Sequence, residues 1–115
     1  YEVLWQATEI GINAAIPGAT TFDVFNAMNK VISEVSVAGN NVGRLGHGLG
    51  LQLTEPPSHR DEDKTVIKEN MVLTIEPGLE YAPGKMIVHE ENIIINKDGA
   101  ELITKRAPKE IPIIN

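Results

Sequence analysis

The apolar residues change their spacing partway along the chain, and that switch restricts the fold more than any other feature. From Tyr1 to Ile16, Leu4, Ala7, Ile10 (beside Gly11) and Ala14 recur every three to four positions, and Pro17-Gly18 stops the pattern as a helix end would. Thr20 or Thr21 then caps a second predicted helix, with Phe22, Phe25, Met28, Ile32 and Val35 as its apolar stripe and a close near Gly39-Asn40-Asn41. Later the texture is different. "MVLTIE" (71–76) and "MIVHEENIII" (86–95) are β-branched runs, and "NKDG" (96–99) is a turn leading into "AELIT", the shape of a hairpin. Two helices followed by an antiparallel sheet predict an α+β fold. Between them, "EPPSHRDEDKTVIKEN" (55–70) reads as a long polar connection over the surface. No repeat or linker divides residues 1–115, a length that suits one domain with a modest core.

Composition narrows the chemistry. There is no cysteine, so a metal would have to be held by His, Asp or Glu. Ten Lys and Arg against 16 Asp and Glu give a formal charge of -6, with the basic residues scattered, which argues against a nucleic-acid partner. No apolar run reaches the roughly 18–20 residues of a membrane span, and the start is not shaped like a signal peptide, so a cytoplasmic protein is expected. The sequence opens without methionine inside a helical pattern, and a piece of a longer chain is the expectation.

Three polar residues interrupt the apolar pattern. In a strand over 86–95, Ile87, His89, Glu91, Ile93 and Ile95 share a face and Val88, Glu90, Asn92 and Ile94 share the other. A carboxylate among isoleucines must be paired, neutralised or metal-bound, unless Glu91 lies on an edge strand with water beside it. Glu76 closes "MVLTI" ahead of Pro77-Gly78, either as a solvated acid or as a functional group at a strand end. His47 lies between Gly46 and Gly48 in "GHGLGL"; alone it reads first as a buried hydrogen-bonded histidine or a surface one. Together, one imidazole and two carboxylates on short rigid segments suit Mn, Co, Fe or Zn rather than a closed structural zinc site. The flanking glycines would let backbone and ligand crowd together.

The order of His47, Glu76 29 residues on and Glu91 a further 15 on, in "GHGLGL", "MVLTIEPG" and "HEENIII...DGAELIT", resembles the signature segments of the pita-bread metallopeptidases. That family includes Xaa-Pro aminopeptidases, prolidases, methionine aminopeptidases and the related creatinases. The resemblance runs from Tyr1 to about Arg106 and implies the C-terminal part of one pita-bread catalytic domain. It implies that His47, Glu76 and Glu91 are metal ligands, with Glu91 bridging, and that two divalent ions (Mn, Co, Zn or Fe) serve as cofactors. The family's two aspartate ligands would lie upstream of the first helix; Asp23 and Asp61–Asp63 have the wrong context to replace them. The activity implied is hydrolysis of a peptide or amide C–N bond by a metal-activated water, with Glu76 passing the proton to the leaving nitrogen.

Departures bear on the substrate. Thr54 stands where peptidases of the family usually carry a histidine seven residues after the ligand, Gly43 where proline-specific members often have another, and His89 where an arginine is common. Thr54 and His89 are expected to face the substrate, with His59 and Arg60 either joining them or lying in a solvated loop. The alternatives are a creatinase-like member acting on a small molecule without metal and a non-catalytic binding module, the latter disfavoured by the retained ligands. A homodimer is expected from the relatives, as is a missing N-terminal part of the same domain, without which these residues alone should bind metal weakly and turn nothing over.

Overall fold

Pro17-Gly18 halts the first helix, and Thr20 starts the second by a reciprocal bond. The Thr20 hydroxyl accepts from the Asp23 N–H at 3.1 Å while the Asp23 carboxylate accepts from the Thr20 N–H at 2.8 Å. Thr20, rather than Thr21, is therefore the cap. The structure, a computed structural model, describes residues 1–38 and 43–115. The helices are α1 (Glu2–Ala14) and α2 (Thr21–Ile32), and the strands are β1 (Gly46–Gly48), β2 (Glu55–Ser58), β3 (Val72–Ile75), β4 (Gly78–Ala82), β5 (Lys85–Val88), β6 (Glu91–Asn96) and β7 (Gly99–Leu102). The second helix ends at Ile32, before Val35, which is exposed; the predicted close at Gly39-Asn40-Asn41 lies outside the described residues.

Five strands form one antiparallel sheet in the order β2-β1-β3-β6-β7, and β4 and β5 form a separate ribbon. The core lies between helices and sheet. Leu4, Ala7, Val24, Met28 and Ile32 meet Leu73, Ile75, Ile93 and Ile95, all fully buried. Gly11 sets the spacing of these layers, because a Cβ there would lie 2.6 Å from Met28 Sδ and 2.9 Å from Ile75 Cγ2.

Two sequence expectations are corrected. The run 86–95 is not one strand: β5 pairs with β4 in the ribbon, β6 pairs with β3 and β7 in the main sheet, and His89-Glu90 bridge the two. Alternation survives the break, with His89, Glu91, Ile93 and Ile95 buried and Val88 and Glu90 exposed. The connection 55–70 is not wholly a surface loop either. Its start pairs with β1 as β2, His59 and Ile67 are buried, and Val66 bridges Thr20. Apolar Ile67 fills the core, and Asp63 ties the turn by accepting from the Ser58 N–H, the Thr65 N–H and hydroxyl, and the Thr21 hydroxyl. The hairpin at Lys97-Asp98 joins β6 to β7 as the sequence predicts.

Candidate metal centre

His47 sits in the middle of β1, with β2 on one side and β3 on the other. Its flanking glycines make that position possible. A Cβ on Gly46, which has φ +143°, would run into the Thr74 carbonyl and lie 2.5 Å from His59 Cδ2; one on Gly48 would lie 2.8 Å from the Pro56 carbonyl carbon. These glycines are crowded by the backbone of the neighbouring strands and, at Gly46, by the His59 ring. The strand is thus pressed on both sides, and the imidazole leaves it in a fixed direction.

The two ring nitrogens of His47 have different surroundings. Nδ1 is 2.9 Å from the Gly48 carbonyl oxygen, which favours a proton on Nδ1 and leaves the Nε2 lone pair free. Nε2 lies 3.4 Å from Glu76 Oε2. His47 is 5% exposed and Glu76 31%, so the pair sits at the boundary between sheet and solvent. Glu76 reaches this place because β3 ends at Ile75 and Pro77 turns the chain into the ribbon; its N–H donates to the Leu45 carbonyl at 3.0 Å. A backbone-anchored imidazole beside a carboxylate, with an open nitrogen between them, is a donor set that fits a divalent cation.

Glu91 is placed differently. It pairs with Ile75 across β3 and β6, whereas His47 pairs with Thr74 and Thr74 with Asn92, so the His47 and Glu91 side chains leave the sheet on opposite sides. The Glu91 carboxylate turns toward α1, where the segment after β7 returns. Oε2 accepts from the Thr104 hydroxyl at 2.6 Å, and Oε1 accepts from the Ala107 N–H at 2.8 Å and from Arg106 Nη1 at 3.3 Å. Arg106 also donates to the Trp5 carbonyl at 2.9 Å and stacks over the Trp5 ring at 4.4 Å. Among the described residues, no three His, Asp or Glu side chains come together as a metal cage.

The remaining candidates scatter. Thr54 is exposed in the turn before β2, and Gly43 is exposed with φ +71°. His89 is buried, its ring edge against Tyr1 at a centroid distance of 4.6 Å; burial, and after it the Arg106 charge, lower its pKa. The sequence left His59 as either a substrate contact or a loop residue in water, and the solvated alternative is corrected: His59 is fully buried behind Gly46, and among the described residues neither ring nitrogen has a hydrogen-bond partner. Burial lowers its pKa to about 4. Arg60 is exposed and pairs loosely with Glu62 at 3.5 Å. Sequence reasoning missed Thr104, Arg106 and Ala107, whose only signal is a polar, basic stretch directly after an apolar strand.

Comparison with known proteins places these features. The sequence model of metallopeptidase family M24 matches residues 1–97. The Xaa-Pro dipeptidase of Pyrococcus furiosus is 37% identical over 106 residues, covering 91% of this chain and 30% of its own length. A putative dipeptidase of Bacillus subtilis is 35% identical over 116 residues, covering 99% of this chain and 31% of its own. Among solved structures, the prolidase from Pyrococcus furiosus superimposes with a TM-score of 0.85 at 34% identity, over 94% of this chain and 32% of that one. Methionine aminopeptidase from Thermotoga maritima does so at 0.76 and 25% identity, over 90% and 49%. The two helices and antiparallel sheet are therefore part of an α+β pita-bread fold, and the chain spans 30% and 31% of the length of these two curated relatives.

Proposed function

Because the chain belongs to metallopeptidase family M24, we propose that it serves a metal-dependent hydrolase of Xaa-Pro dipeptidase type, cleaving a peptide or amide C–N bond. The residues here form the C-terminal portion of one pita-bread catalytic domain, and the two aspartates of the family's ligand set come from the other portion. One observation carries the reading: the open Nε2 of His47 lies 3.4 Å from Glu76 Oε2 while Nδ1 is held by the Gly48 carbonyl. The names of the relatives, Xaa-Pro dipeptidase and prolidase, support the substrate class.

Two divalent ions, when bound, supply Lewis acidity and a nucleophile at neutral pH. His47 and Glu76 would hold one flank of that site; the resemblance adds Glu91 as a third donor, whose carboxylate would have to leave its Thr104, Arg106 and Ala107 partners to reach a shared ion. Glu76 is the more exposed of the pair, so its carboxylate is the group that can take a proton from water and deliver it to the leaving nitrogen. Thr54, exposed in the turn before β2, would face the substrate. The same reading carries a homodimer and a cytoplasmic setting, and little metal binding or turnover by these 115 residues alone.

Activity of the full-length protein on Xaa-Pro dipeptides, measured with metal analysis, tests this. Two bound ions and a loss of about 10²–10⁴-fold in kcat for Glu76→Gln are expected; full activity after chelation would sink it. A metal-free, creatinase-like hydrolysis of a small molecule is the second reading. It is favoured by Thr54 in place of the usual histidine and by His89 being packed against Tyr1, and turnover of small amidines or lactams but not dipeptides would select it.

A further inference from the structure

Four polar side chains stand abreast on the face of the main sheet that is turned away from the helices. Ser58, His47, Thr74 and Asn92 are cross-strand partners through β2, β1, β3 and β6, and partners of this kind share a face. The alternate residues Leu73, Ile75, Ile93 and Ile95 face the core. Thr74 is fully buried and Asn92 half-buried, and the next pair along the same face, Val72 and Ile94, is apolar. The row is therefore a polar stripe set into a packed face rather than a wetted surface.

Thr74 fixes the Asn92 amide. Its hydroxyl donates to Asn92 Oδ1 at 2.8 Å, while the backbone beneath is pinned by the Asn92 N–H on Thr104 Oγ1 at 3.1 Å and the Ile103 N–H on the Asn92 carbonyl at 3.0 Å. That leaves Nδ2 as the open end: among the described residues, its two N–H donors meet no acceptor. Glu101, opposite Ile94 on the same face, is taken by Asn96 Nδ2 at 2.6 Å. His47 and Asn92 are two strand spacings apart, roughly 10 Å, and an extended dipeptide spans about 7 Å. A substrate laid across the strands with its scissile carbonyl beside His47 and Glu76 brings the next oxygen along its chain to Asn92. An ammonium group could not use that place, because Nδ2 only donates. We propose that Asn92 is a substrate-anchoring residue: its Nδ2, aimed by the Thr74 hydroxyl, donates to the oxygen one residue beyond the scissile bond, a C-terminal carboxylate or the next peptide carbonyl. The proposal rests on the reading of the His47–Glu76 side as the one that cleaves peptides.

Hydrolysis of Ala-Pro and of Ala-Pro amide by the full-length protein tests it. Asn92→Asp keeps the size of the side chain and the acceptor for Thr74 but loses both donors. It should fold and lower kcat/KM by about 10- to 100-fold, chiefly through KM. A loss on both substrates identifies the anchored oxygen as a carbonyl, a loss confined to Ala-Pro identifies it as the carboxylate, and either supports the anchor. Thr74→Val, which frees the amide to turn, should act in the same direction by less. Asn92→Ala is the deciding variant should Asn92→Asp not fold. Unchanged KM and kcat on both substrates in a folded Asn92 variant, with or without a loss of stability, would overturn the proposal while leaving the peptidase reading in place. A wild-type protein that cleaves neither substrate would instead remove that reading, and the anchor with it.

Discussion

Glu91 and His59 are both sealed from water, yet they lie at opposite extremes of satisfaction. Three donors from the returning segment surround the Glu91 carboxylate, while among the described residues neither nitrogen of His59 has a partner. His47 stands between them, one nitrogen tied to a carbonyl and the other free beside an acid. Burial of an ionisable group therefore says little about its role. The number of partners left open says more: a filled set holds the chain together, an empty one is a cost, and a half-filled one can bind.

The sharpest way to break the contrast is Glu91→Ala. It strands Arg106 and two further donors, and the loss should be about 3–5 kcal/mol in urea unfolding; a loss below about 1 kcal/mol would mean that the Glu91 partners are not what stabilise the segment. Next is Gly46→Ala, which forces a methyl between the Thr74 carbonyl and His59. About 1–3 kcal/mol should be lost, and the His47 ring signals should shift in NMR. His59→Leu should act in the other direction, gaining about 1 kcal/mol at pH 5 because an apolar group replaces unpaired nitrogens.

The same residue predicts a pH dependence. With the folded pKa of His59 near 4 and the ordinary value 6.5, the unfolded chain binds the proton more readily. Stability from this residue is complete above pH 6.5 and is lost as pH falls toward 4, and thermal melts of His59→Leu should lack that slope. The smallest effect belongs to Asp63. Burial acts to raise its pKa, but hydrogen bonds from the Ser58 N–H, Thr65 and the Thr21 hydroxyl outweigh this and hold it at about 2. Its contribution is present above pH 3.8 and lost as pH falls through 2, and Asp63→Asn should remove that acid-range loss in circular dichroism melts.

Much of this was legible in the residues. Helix periodicity and the proline-glycine stop placed α1, Thr20 or Thr21 marked the α2 start to within a residue, and the β-branched runs located β3 and β6. The Glu76 position at a strand end followed from Pro77-Gly78. Alternation alone could not show that 86–95 divides between two sheets, because burial keeps the same period on both sides of His89-Glu90. Nor could it show what surrounds Glu91, since Trp5, Thr104 and Arg106 meet only after the chain has folded back across about a hundred residues. His59 escaped for a related reason: charged neighbours make its stretch look wet, while contact with Gly46 and β1 is what buries it.

Glu76-Pro77 and His89-Glu90 are the two short crossings between the main sheet and the β4–β5 ribbon, and the His89 N–H closes onto the Pro77 carbonyl at 3.0 Å. The Glu76 carboxylate is therefore aimed from a joint pinned by both crossings rather than from a single free tether.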